Sequence, residues 1–103
     1  MPQLIPSAEF LEDLEQLKNE KTLRKAIASK LFLLGKNPLD PGINIERIIN
    51  DSSAWAVRLD IRHRISFEPT KYLLSGSPDW TAPIRLLRVI RTEDLYSARP
   101  IAK

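Results

Sequence analysis

The sequence predicts an α+β domain: an N-terminal helical hairpin packed on a twisted antiparallel sheet of three to four strands. Three observations predict it. Apolar residues recur at helical spacing as far as Leu34 and then alternate strictly from Trp55 onward. The two regimes are separated between Gly35 and Gly42, where Asn37-Pro38 forbids continuation of a helix. The chain has 103 residues, 43% of them hydrophobic, which fills one core, so residues 1–103 are expected to be a single domain.

Residues 1–5 suit a very short edge strand, limited by Pro2 and Pro6. Ser7 is a good N-cap, and the run from Ala8 to about Lys18 sets Phe10, Leu14 and Leu17 on one stripe with Leu11 beside it. Glu9, Glu12, Asp13 and Glu15 load its early turns with the sign that the helix dipole favours, and otherwise read as a solvated face. Thr22 is a candidate cap for a second helix, whose stripe is Leu23, Ile27, Leu31 and Leu34, with Gly35 as its C′ residue. A short connection makes the two helices antiparallel neighbours.

After Gly42 the pattern becomes extended at Ile43, Ile45 and Ile48-Ile49, followed by a turn cluster at residues 50–53. From Trp55, one face carries Trp55, Val57, Leu59 and Ile61, and the other Ala56, Arg58, Asp60 and Arg62. A second strand alternates Arg64, Ser66 and Glu68 with Ile65 and Phe67 and stops at Pro69. Residues 69–83 read as a hairpin-like excursion or a long loop. Ile84 to Ile90 is a strongly apolar, central strand. The helices cover one face of the sheet, and the arginine-rich polar positions take the other.

Composition excludes several chemistries. There is no cysteine, hence no disulfide, thiolate zinc site or Cys nucleophile, and one histidine does not make a His-based metal site. No metal and no cofactor are expected. Nothing is apolar enough to span a membrane and no secretory signal precedes the first helix, so a cytoplasmic protein is the expectation. No Gly-rich phosphate loop, Gly-x-Ser-x-Gly elbow or His-Glu-x-x-His occurs. The formal net charge of +3 is unevenly spread: residues 1–51 hold seven basic against eight acidic residues, and residues 52–103 nine against five. Seven of the latter nine are arginines, which suggests an anionic partner.

Arg58 and Arg64 sit at outward positions of adjacent strands, within cross-strand reach if a turn closes near Ile61-Arg62-His63. Two like charges so placed invite an anion between them, and Arg88 or Arg91 on the last strand supplies a third. Such a cluster binds phosphate and stabilises charge in a phosphoryl transition state. The alternative is that Asp60 and Glu68 neutralise these arginines across the strands. Tyr96 lies near the arginine-rich end, where neighbouring cations lower a phenol's pKa and suit it to proton transfer, unless its ring packs on the helices. His63 is read as an exposed turn residue or, by parity, a core-side one. Trp80 is either a base-stacking platform or a pin for its loop.

With these elements in place, the chain resembles the RelE/ParE superfamily of toxins from bacterial toxin–antitoxin systems, over about Ile5 to Tyr96. The resemblance rests on the Phe10-to-Leu17 helix, a second helix ending Leu-Gly-Lys-Asn-Pro (34–38), the strand pair Trp55-Ala-Val-Arg58-Leu and Arg64-Ile-Ser-Phe67, and the closing apolar strand before Thr92-Glu93-Asp94-Leu95-Tyr96. It implies a toxin held inactive by a cognate antitoxin, through strand addition or a helix in a groove. RelE-like members are metal-independent endoribonucleases that cut ribosome-bound mRNA by attack of a 2′-hydroxyl on the adjacent phosphate. By motif position, Arg64 matches their phosphate-gripping arginine, Arg58 a basic position of the preceding strand, Arg91 a basic residue after the last strand, and Tyr96 the C-terminal tyrosine. Arg62, Arg88, Arg58 and Arg64 are the expected RNA-binding residues. Ala56 stands where a second basic residue is often found, and no histidine precedes Tyr96. These departures point to the alternatives: a ParE-like, non-enzymatic inhibitor of DNA gyrase, or a degenerate member that only binds its antitoxin.

Overall fold

Ser7 starts the first helix as its position predicts. In the computed structural model, which describes residues 2–48 and 51–92, Ser7 is extended (φ −77°, ψ 166°) and its Oγ accepts the Phe10 N–H at 3.0 Å. That satisfies a donor left orphaned by helix geometry. The same hydroxyl donates to the Leu87 carbonyl at 2.9 Å, so the cap also fastens the helix to the sheet. Helix α1 spans Ala8–Gln16 and passes into a turn at residues 17–19. Phe10 is buried, Leu14 and Leu17 pack partly against the same core, and Leu11 is exposed.

Helix α2 spans Lys21–Lys36 and buries Leu23, Ile27 and Leu34. Two expected signals are displaced. Glu20, not Thr22, occupies the N-cap, without a side-chain bond. Gly35 lies inside the helix, which ends at Asn37. A Cβ at Gly35 would stand 3.5 Å from Leu4 Cδ1, an ordinary contact, and the φ of Gly35 is not positive, so the position acts neither as a left-handed cap nor as a site that only glycine fits.

Strands β1 (Leu4–Pro6), β2 (Glu46–Ile48), β3 (Asp51–Arg58), β4 (His63–Pro69) and β5 (Ile84–Arg91) form one sheet in the order β1-β5-β4-β3-β2. The sheet is thus mixed and five-stranded, slightly larger than expected. β2, β3, β4 and β5 pair antiparallel, but β1 pairs parallel to β5, with Leu4 opposite Ile84 and Pro6 opposite Leu86. Asp51–Ser53, expected in a turn, already belong to β3. Ile49 and Asn50 lie outside the described residues.

The core forms where α1 and α2 meet the sheet. Val57, Ile65, Phe67, Ile84 and Leu86 join Phe10, Leu23, Ile27 and Leu34 there. The opposite face is not the open polar surface that alternation suggested. Ala54, Ala56 and Ser66 are fully buried on it, and Ile48, Leu87 and Ile90 complete a second apolar cluster. An extra residue enters β5 opposite Ser66/Phe67, where Ser66 pairs with Arg88 and Phe67 with Leu86. This bulge breaks strict alternation in β5. Between β4 and β5 the chain makes a small loop, bridged at Tyr72 and Pro78 and turned by Gly76 at φ +91°. Trp80 pins that loop: it is buried, edge-on to Trp55 at 5.4 Å and to Phe67 at 5.8 Å, and is no stacking platform.

Candidate anion-binding site

One carboxylate organises the turn between β3 and β4. Asp60 Oδ1 accepts the N–H of Arg62 at 2.8 Å and of His63 at 2.7 Å, the short side-chain-to-backbone bonds that make aspartate a turn residue. His63 Nδ1 lies 3.1 Å from Asp60 Oδ1 and 3.3 Å from Oδ2. Burial pushes the Asp60 carboxyl up, but the bonds from Arg62 N–H, the His63 ring and His63 N–H, with the charge of His63, outweigh it and hold the carboxyl below its usual range. Half-buried, His63 is neither a free turn residue nor a core one.

Beside this turn lies an open hollow of ≈ 530 Å³, lined by Ile61, Arg62, His63, Arg91 and Thr92. His63 and Arg91 are register partners at the ends of β4 and β5. Thr92 closes the hollow by donating its N–H to Arg62 O at 2.7 Å and its Oγ1–H to Ile61 O at 2.8 Å. Arg62 and Arg91 are both exposed there. Two arginines and a histidine therefore line one hollow, residue types able to bind an oxyanion and to move a proton.

The expected pairing of Arg58 with Arg64 in water is not formed. The two residues are cross-strand partners, and Arg58 is exposed, but Arg64 is only 4% exposed. Arg64 Nε donates to Glu46 Oε1 at 2.8 Å, and its Nη1 donates to Asp60 O, His63 O and Thr92 Oγ1 at 3.1–3.3 Å. The physical reason is that alternation fixes the face a side chain takes, not what lies over that face. Ala56, opposite both Glu46 and Ser66 in the ladder, presents only a methyl group, and the carboxylate of edge strand β2 draws Arg64 inward. Arg64 thus braces the turn and Thr92 from behind the hollow. Arg58 instead lines a second hollow of ≈ 380 Å³ with Lys30, Ile43, Asn44, Glu46 and Leu59.

Arg88 is likewise no open cation. Its guanidinium grips Asp13 of α1 as a fork, Nε to Oδ2 at 2.8 Å and Nη2 to Oδ1 at 3.0 Å, while Oδ2 also accepts the Val89 N–H at 2.9 Å. The bond to Asp13, with the charges of Asp13, Glu9 and Glu12, raises the Arg88 pKa further despite burial. Glu68 pairs with Arg85, its register partner on β5, rather than with any of the arginines it was expected to neutralise. Tyr96 lies outside the described residues. Among the described residues no group of three His, Asp or Glu side chains is placed to hold a metal ion, and no helix is long and apolar enough to cross a membrane.

The partners Glu46 and Asp13 escape a reading of the sequence, since they meet their arginines across 18 and 75 residues. The signal for the Asp60–His63 contact was present: an aspartate two residues before Arg62 in a turn invites the backbone bonds that bring His63 to it.

No protein-family model matches the chain, and no curated protein matches it in sequence. Solved structures do. YafQ from E. coli strain BL21(DE3) superposes with a TM-score of 0.68 at 12% identity, over 94% of this chain and 100% of that one. YafQ in the E. coli DinJ–YafQ toxin–antitoxin complex gives 0.68 at 11%, over 93% and 98%. A YoeB/ParE toxin from Agrobacterium tumefaciens gives 0.65 at 12%, over 86% and 97%. The chain has the fold of these toxins, a RelE/ParE-like fold, as its resemblance implied.

Proposed function

We propose that this chain, built on the fold of the YafQ and YoeB/ParE toxins, is the toxin of a type II toxin–antitoxin module and a metal-independent endoribonuclease acting on ribosome-bound mRNA in the cytoplasm. One observation carries the reading: Arg62, Arg91 and His63 line a single hollow, with Asp60 against the imidazole. The scissile phosphate sits between the two guanidinium groups, which stabilise the extra charge of the pentacoordinate transition state. The 2′-hydroxyl attacks the phosphorus and the 5′-oxygen departs. Asp60 orients the ring through Nδ1, and Nε2 serves the proton that leaves the nucleophile or the one that joins the leaving oxygen. Arg64 acts through the groups it holds, the carbonyls of Asp60 and His63 and the Thr92 hydroxyl.

Inducing the protein and mapping mRNA 5′ ends by primer extension tests this. Ribosome-phased cuts are expected, weakened roughly 100-fold by His63→Ala and also weakened by Arg62→Ala with Arg91→Ala. The engagement of Arg64 by Glu46 and of Arg88 by Asp13 favours one other reading, a ParE-like inhibitor of DNA gyrase without nuclease chemistry. Intact mRNA with a DNA-damage response selects that reading. Unimpaired growth selects a protein that only binds its antitoxin.

A further inference from the structure

Helix α2 presents a row of cations around an aromatic ring directly to solvent. Leu23, Ile27 and Leu34 mark its sheet-facing side. At about 100° per residue, Lys21, Lys25, Phe32 and Lys36 fall on the side diametrically opposite. Phe32 is 67% exposed, and Lys36 Nζ stands 5.9 Å from its ring centroid. A single exposed apolar residue means little, but this one has unusual surroundings. None of the 16 residues of α2 is acidic. Among the described residues Lys21, Lys25 and Lys36 enter no ion pair, whereas Lys18, Arg64, Arg85 and Arg88 each have a carboxylate. The acids that pair with Arg64, Arg85 and Arg88 of the sheet reach none of the three lysines of this row.

We infer that the outer face of α2 docks an acidic amphipathic segment of a protein partner, which lays an apolar side chain on Phe32 and its carboxylates on Lys21, Lys25 and Lys36. An apolar centre with a charged rim is the anatomy of a protein interface. The row is about 22 Å long, the length of a four-turn helix. Nucleic acid is the less fitting occupant, because lysines lack the planar fork that grips phosphate and the row contains no arginine. The inference rests on the toxin reading in one respect: it identifies the partner as the antitoxin.

The test co-expresses the chain with the product of the adjoining reading frame. That product is expected to relieve growth inhibition by the wild type. Phe32→Glu inhibits growth alone as the wild type does but escapes relief, and its Kd for the purified partner rises at least roughly tenfold. Phe32→Leu keeps most of the affinity. Lys21→Glu with Lys25→Glu weakens binding chiefly at low salt. These side chains are exposed, so circular dichroism and Tm should stay as in the wild type. Full relief of Phe32→Glu overturns the docking surface and leaves the toxin reading standing. Failure to relieve the wild type removes the toxin–antitoxin reading itself, and the antitoxin as occupant with it. Loss of affinity for a 20-nucleotide single-stranded RNA in the lysine variant, with partner binding unchanged, also overturns the inference.

Discussion

A buried guanidinium is stable only where its hydrogens find acceptors, and Arg64 meets that condition with four oxygens from three parts of the chain: Glu46, the Asp60–His63 turn and Thr92. Its cross-strand partner Arg58 is exposed, so the same residue type at paired positions has opposite energetic weight. Arg64→Ala should cost about 2–3 kcal/mol, since it strips partly buried acceptors of charged donors. Arg58→Ala should stay within about 0.5 kcal/mol. Arg64→Lys should recover less than half of the loss, because an ammonium does not reproduce the forked geometry. Urea midpoints of the three variants give the ranking, and equal midpoints for Arg58→Ala and Arg64→Ala would show Arg64 to be a surface cation after all. Alternation made the shared face of Arg58 and Arg64 legible in the sequence. It did not reveal that Ala56 opens a path across β3 to Glu46, because that depends on which strand lies two places away.

At the scale of elements, α1 is held to the sheet by its N-cap, by Phe10 in the core and by one carboxylate. Ser7 Oγ bonds the Leu87 carbonyl, and Asp13 takes both the Arg88 fork and the Val89 N–H. Past the three-residue β1, the outer margin of β5 would otherwise present unpaired backbone groups, and Asp13 supplies an acceptor there. Asp13 is 12% exposed on its side chain, so Asp13→Ala leaves a partly buried N–H and a cation without partners, at about 2–3 kcal/mol. Hydrogen exchange should then report faster exchange at Val89 than in the wild type; an unchanged rate would mean that other contacts hold this margin. Both helices, β3 and β4 were legible because each carries its own period of apolar residues, and β5 because it is a short apolar run after Pro83. The parallel pairing of β1 with β5 and the link from Asp13 to Arg88 were not, because neither has a local pattern. The bulge opposite Ser66/Phe67 hid the second further, because it leaves β5 without a strict alternation from which to read the face that Arg88 takes.

Across the whole molecule the same long-range contacts tie the two halves of the sequence into one core. The first strand pairs with the last, and one apolar cluster joins Phe10, Leu23, Ile27 and Leu34 from the helices to Val57, Ile65, Phe67, Ile84 and Leu86 from the sheet and Trp80 from the loop. No part of that cluster is closed within a single element, so the helical layer has no apolar partner once the sheet opens. Unfolding is therefore expected to be a single cooperative transition. Two probes separate the layers. Far-UV circular dichroism follows α1 and α2, while fluorescence follows Trp55 and Trp80, whose rings meet edge-on where the loop closes over the sheet. Their urea curves should give one midpoint and one slope. Trp80→Ala removes a buried ring at about 3–5 kcal/mol and should move the dichroism midpoint although no tryptophan lies in either helix. If the tryptophans report loss of the loop before the helices melt, or if Trp80→Ala leaves the helical transition in place, the loop is an appendage and the core is confined to the helices and strands.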